Sequence, residues 1–228
     1  MIAGAFLCVR LGIWQLDRLE QRRVFNRQVL SMRSMEELNL NLEVPEDIRS
    51  MEWRVVSVRG RYDFENQVAL RNQYFQNQLG YHLITPLIFG DEAVMIDRGW
   101  IPAEGNESKE DWRKYDQGGL VDIRGQIRLD QPARLLGGAS ETELTNGQTR
   151  RDRWVNVDLN GLAVQIPYPI LPVFIQPEAA QADLDPPVPV QPEIELSEGP
   201  HLGYAVQWFV FAAILLFGYP YYLSKQVD

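Results

Sequence analysis

Residues 203–223 run for 21 positions without an Asp, Glu, Lys or Arg. At about 1.5 Å per residue such a helix is roughly 30 Å long, the thickness of a bilayer's hydrocarbon core. The segment therefore predicts a membrane span over 201–223, with 224–228 as a short tail. Tyr204 and Trp208 stand at its start, and Tyr219, Tyr221 and Tyr222 precede Lys225 at its end. That is the distribution expected of interfacial rings and a snorkelling cation. Pro220 falls in the last turn and reads as a helix end.

The beginning is less regular. An apolar run over 1–9 meets Arg10, and Leu11-Gly12-Ile13-Trp14-Gln15-Leu16 then resumes it. Alone the run is too short to span, and three readings compete: a cleaved signal peptide, a buried soluble helix, or the C-terminal half of a first transmembrane helix. A signal peptide places its basic residues before the apolar stretch and a small-residue cleavage site after it. Here the arginine follows and no Ala-x-Ala occurs, so the expectation is a first span over 1–16, truncated at its start. Trp14 and Arg18 would share one helical face, ring at the interface and guanidinium in water. Residues 17–40 continue as an amphipathic juxtamembrane helix, with Arg18, Arg22, Arg23, Arg27 and Arg33 set among Leu19, Val24, Val29 and Leu30.

From Trp53 the pattern alternates with period two, and short strands are expected over 53–60, 67–72, 81–89, 93–97, 121–129, 154–158 and 170–176. A short helix is expected over 159–166, and long mobile loops over 104–119 and 139–153. Gly99 reads as a turn that follows an apolar strand and aims Arg98 at a nearby carboxylate. The fold class is an α+β membrane protein whose mainly antiparallel, barrel- or sandwich-like extramembrane domain, 44–176, lies between two terminal transmembrane helices. Residues 177–200 contain six prolines and six acidic residues without Lys or Arg, and read as an extended tether.

Several functions are disfavoured by composition. A net charge of −9 without a basic, aromatic-interleaved stripe argues against nucleic acid. The single cysteine, Cys8, precludes an intrachain disulfide, a Cys-x-x-Cys pair and a multi-thiolate zinc site. Gly-x-Ser-x-Gly, His-Glu-x-x-His, the P-loop and Gly-x-Gly-x-x-Gly are all missing, so no catalytic residues are assigned; two histidines and scattered carboxylates leave a hydrolytic site open, but no spacing proposes one. Of the two histidines, His82 lies in an expected strand and reads as a core or edge residue, whereas His201 heads the apolar helix. His201, Tyr204, Ala205, Trp208, Ala212 and Leu215 follow one another at helical spacing, so an imidazole tops an aromatic stripe.

Five groups of residues in fixed order carry a resemblance. They are Leu11-Gly12-x-Trp14-Gln15-Leu16-x-Arg18; Gly60-x-Tyr62 with Gly80-Tyr81-His82-Leu83-Ile84-Thr85-Pro86-Leu87; Ile96-Asp97-Arg98-Gly99-Trp100-Ile101-Pro102; Trp154-Val155-Asn156-Val157-Asp158; and His201-Leu202-Gly203-Tyr204-Ala205-Val206-Gln207-Trp208-Phe209. Together they resemble the Surfeit-locus-protein-one (Surf-one, Shy-one) family of cytochrome c oxidase assembly factors. The first span is short for the family, and Asp97 stands where Asn is commoner.

The resemblance implies a non-enzymatic assembly factor of the bacterial cytoplasmic (inner) membrane, multi-pass, with its main domain on the outer, periplasmic side. It also implies that the chain binds haem a and assists its insertion into oxidase subunit I. The alternative is a cofactor-free scaffold that stabilises an oxidase assembly intermediate. Implied partners are subunit I, haem a synthase and the lipid bilayer, with a homo-oligomer also open. On this reading His201 is the haem iron ligand beside Tyr204 and Trp208, and Arg98 contacts a propionate or a partner. Trp14, Gln15, Arg18 and Trp100 are interaction residues. The positive-inside count points the other way, placing the middle of the chain in the cytoplasm, although long translocated domains often escape it.

Overall fold

A computed structural model of the chain describes residues 2–130, 150–178, 185–190 and 194–225. Most of 139–153, and parts of 177–200, lie outside them. The chain divides into two compact units, Met1–Ser31 with Glu193–Asp228, and Met32–Pro192.

The first unit is helical. The apolar beginning and the arginine-rich stretch after it form one helix, α1 (Ile2–Ser34), unbroken at Arg10. It ends short of 40 because Met35 leaves the helical path and a two-residue strand, β1 (Leu38–Asn39), follows. Along α1 the residues Ala5, Gly12, Leu19 and Asn26 are buried at intervals of seven, the period that keeps one seam of a helix against an antiparallel neighbour. That neighbour is α4 (His201–Ala213), whose Ala205 and Ala212 are buried at the same interval. Gly12 permits the close approach: a Cβ there would stand 2.7 Å from the Phe209 ring.

Helix α4 runs through a π-helical turn, Ile214–Gly218, into α5 (Tyr219–Ser224). Pro220 therefore does not end the helix. It offers no N–H, and the register slips just before it, where the Tyr219 N–H reaches back five residues to the Ile214 carbonyl. His201–Tyr222 is long and apolar enough to cross a membrane, and only 11% of its most apolar stretch is buried. A core helix of a soluble protein would be mostly covered.

The second unit is a β-barrel-like sheet. Strands β2 (Val55–Tyr62), β3 (Val68–Phe75), β4 (Gln78–Phe89), β5 (Glu92–Pro102), β6 (Val121–Arg128), β7 (Arg153–Trp154) and β8 (Ile170–Pro177) join β1 in the order β1-β2-β6-β8-β5-β4-β3-β7. Pairing of β2 with β4 at Arg61–Ile88 and Tyr62–Leu87 closes a ring of five strands. Of the barrel and the sandwich, the chain adopts the barrel. Its long pairings are antiparallel except β5 with β8.

Three apolar clusters hold this sheet. Val56, Val58, Leu87, Val94, Ile96, Ile127, Val173 and Ile175 form the largest. A second joins Val68, Leu70, Ile84 and Met95 to Trp154 and to Leu159 and Leu162 of α3 (Leu159–Gln165). The third places the fully buried Trp112 against Ala69, Leu83 and Ile101. Strands β4 and β5 are thus covered on both faces, and β5 is buried from Ala93 to Ile101. The stretch 104–119 is not the long open loop expected. It carries α2 (Lys109–Trp112), capped by reciprocal bonds between Ser108 and Asp111, and Trp112 anchors it.

Candidate functional site

A buried polar cluster interrupts the apolar interior of the sheet unit, and a second, part-exposed one lies along the helices of the other unit. In the sheet unit Leu83 pairs with Gly99 and Ile84 with Asp97, leaving Arg98 as the extra residue of a β-bulge. Gly99 is therefore no turn but part of a strand that continues to Pro102. The bulge sends neighbouring side chains to separate partners. Asp97 receives the His82 ring, with Nδ1 at 3.0 and 3.1 Å from its two oxygens. It also accepts the Gly99 N–H at 3.1 Å. His82 is a core histidine, as its place in a strand suggested.

Among the described residues Arg98 forms no ion pair with a carboxylate, although the Asp116 charge acts on it without a direct contact. Its guanidinium donates to Gln67 Oε1 at 2.9 Å and to the Tyr115 carbonyl, and lies 5.1 and 5.0 Å from the Tyr62 and Phe64 ring centres. Thr85 also donates to Gln67, at 2.6 Å. The cation is held by aromatic faces and neutral acceptors. Trp100, two residues on, is buried against Phe75 and bridges by its backbone to Val188. Arg98 and Trp100 are thus interior residues of the sheet unit.

Burial pushes the Tyr62 phenol up to about 12, against the opposing pull of Arg98. An acid raised on folding contributes stability that is complete below its unfolded value, 10.0, and is lost as pH climbs towards 12. The sheet unit is expected to lose about 2 kcal/mol across that window. Denaturant titrations of the chain and of Tyr62→Phe should show a loss that is larger in the parent. Equal losses would remove Tyr62 as the source.

The helical unit holds the second cluster. His201 Nδ1 lies 2.8 Å from Gln15 Oε1, joining residues 186 positions apart. Further along α1, Arg22 donates to the Glu195 carbonyl at 2.9 Å and Asn26 to the Leu196 carbonyl at 2.6 Å. Arg23 grips Glu198 with two parallel bonds of 2.9 Å. Those bonds hold the Glu198 carboxyl below the usual range. Glu195 and Glu198 therefore fasten the approach to α4 and leave the imidazole alone. Trp14 is half exposed with the Arg18 guanidinium 5.5 Å from its ring, and Arg18 also donates to Gln21.

Of the residues singled out by sequence, Gln15 and His201 are brought together, and Trp14 and Arg18 flank Gln15 on α1. Tyr204 is 48% exposed, and Trp208 meets Phe211 edge to face. The ring packed at Gly12 is Phe209, which the predicted stripe omits. Asn26 and Gln67 were missed as well. The interval of seven from Gly12 could have flagged Asn26, whereas nothing in the spacing marks Gln67. Among the described residues no group of three or more His, Cys, Asp or Glu could hold a metal ion by itself.

Fold and site together define a small β-barrel carried with a pair of long helices, an imidazole and an amide joined between them. The chain belongs to the SURF1 family, whose model matches residues 2–213. It is similar to Surfeit locus protein 1 of Arabidopsis thaliana, 22% identical over 91% of this chain and 72% of that protein. It is also similar to a SURF1-like protein of Rickettsia bellii, 24% identical over 95% and 86%. With Surfeit locus protein 1 of Gallus gallus the identity is 23% over 91% and 69%.

Proposed function

We propose that the chain is a membrane-anchored assembly factor of cytochrome c oxidase that binds haem a at His201 and presents it to oxidase subunit I. Membership of the SURF1 family supports the assembly role, and the environment of His201 supports the cofactor. The observation that carries the reading is the division of labour on the imidazole. Nδ1 is taken by Gln15, and Nε2 has no hydrogen bond within the described residues. A haem needs one or two axial donors, not a cluster, so a single free imidazole nitrogen suits it.

The rest of the helical unit fits an apolar macrocycle with a long tail and two propionates. Tyr204, Val206, Val210 and Phe211 leave large apolar surfaces exposed along α4. Arg18 stands one turn beyond Gln15 on α1, and guanidinium groups suit carboxylates. When bound, haem a supplies an iron that accepts the nitrogen lone pair. The chain's own residues orient that lone pair and keep the ring at the head of the apolar helix.

Residues of α1 near the chain start belong beside α4 in the bilayer on this reading. Ile2, Phe6, Leu7 and Ile13 are exposed on α1, while Gly4 and Gly12 face Leu215 and Phe209. Small residues that let helices approach closely are the usual means of association in lipid. The sheet unit belongs on the outer, periplasmic side.

Chain purified in detergent from cells that make haem a is expected to carry a Soret band, and His201→Ala should remove most of it. An undiminished band in the variant would exclude ligation by His201. Co-purification with subunit I but without pigment would replace the cofactor reading by a scaffold.

A further inference from the structure

We propose that Gln15 is the positioning residue of this site, holding His201 as its Nδ1–H tautomer and leaving the Nε2 lone pair as the ligating atom. The inference rests on the haem a reading of His201 and assigns that reading's orienting group. A neutral imidazole has one donor nitrogen and one acceptor nitrogen. The atom 2.8 Å from Nδ1 is an amide oxygen, which only accepts. The proton therefore sits on Nδ1, and Nε2 is free to donate electrons. Ligating histidines are commonly fixed in this way, by what the other ring nitrogen donates to.

Gln15 is suited to the task because its own place on α1 is fixed. Gly12, one turn before it, is packed under the Phe209 ring, and Leu19, one turn after it, is buried. The half-buried amide thus points across the seam from a rigid segment. His201 is restrained from the other direction as well. The residues leading into α4 are bound to α1 through Arg22, Arg23 and Asn26. Gly199 lies beside the Nε2 edge: a Cβ built there would touch the ring at 3.4 Å from Cδ2 and 3.5 Å from Nε2, and glycine keeps that contact off the ligating atom.

The chain contains only two histidines, so nitrogen-15 spectra of histidine-labelled full-length protein in detergent resolve both rings. His82, bonded through Nδ1 to Asp97, serves as an internal control. Haem-free protein is expected to show His201 protonated on Nδ1. Gln15→Leu should shift His201 towards the Nε2–H form and leave His82 unchanged, whereas Gln15→Glu, which keeps an acceptor, should restore Nδ1–H. Titration with haem a should then be weakened by about tenfold or more in Gln15→Leu and largely recovered in Gln15→Glu.

A parent His201 protonated on Nε2 would overturn the proposal. So would a Gln15→Leu ring that keeps the parent tautomer, or one that shifts tautomer while haem a affinity stays the same. If tautomers respond as expected but His201→Ala binds haem a like the parent, the cofactor reading falls and the orientation of the imidazole by Gln15 stands.

Discussion

Asp97→Ala is expected to destabilise the sheet unit by about 3–5 kcal/mol. The carboxylate is 7% exposed and serves two donors at once, the His82 ring and the Gly99 N–H. Its removal strands both in an interior closed on each face by apolar clusters, and each stranded donor costs about 1–3 kcal/mol. The cavity left by the missing side chain adds to this. Asp97→Asn separates the contributions, because its side-chain oxygen can still accept while the charge is gone. That variant should recover more than half of the loss. Denaturant titration of the full chain in detergent, followed by tryptophan fluorescence, measures both. A loss below about 1 kcal/mol for Asp97→Ala would mean that the pair contributes no more than a solvated contact.

The pair was hidden in the sequence for a physical reason. Strands over 81–89 and 93–97 were readable, but partners across a sheet depend on register, and here a bulge shifts it by one residue. Reading Gly99 as a turn was the natural error, since glycine with positive φ serves both turns and bulges. The same bulge directs Arg98 to Tyr62 and Phe64, residues well apart from it in the chain and tied by no motif. β1, two residues long, is set by pairing alone and leaves no periodic trace, and of the strand expected over 154–158 only Trp154 pairs, in the two-residue β7. Trp112 illustrates the converse. Its polar neighbours made 104–119 look open, while one ring was enough to seat the segment on the sheet.

For the helices, composition was a better guide to existence than to pairing. The absence of charge over 203–223 and the arginines after Leu16 announced two helices. Their shared seam is carried by Ala5, Gly12, Leu19 and Asn26, a set too mixed in character to read as one apolar stripe. The meeting of Gln15 with His201 follows from that seam's register. Each residue could be placed near a helix position, yet their contact is a tertiary fact.

Gly99→Ala should cost about 3 kcal/mol or more, because strain and collision act together. Gly99 has φ +115, where a side chain is strained whatever the surroundings. An added Cβ would also stand 2.2 Å from the Val188 carbonyl oxygen and 2.7 Å from the Pro189 nitrogen. Those are backbone atoms, so no rotamer change relieves the contact. The Val188 segment is itself tied down: Trp100 N–H donates to its carbonyl at 2.7 Å, and its own N–H donates to Trp100 at 2.8 Å. The variant must therefore either flatten the bulge, pulling Asp97 from His82, or expel the Val188 segment from β5. Hydrogen exchange distinguishes the two. Loss of protection at Val188 and Trp100 alone signals expulsion of the segment, and loss spreading through β4 and β5 signals collapse of the bulge. Protection and stability both equal to the parent's would show that the bulge accommodates a side chain, and the assignment of Gly99 as its conformational key would have to be abandoned.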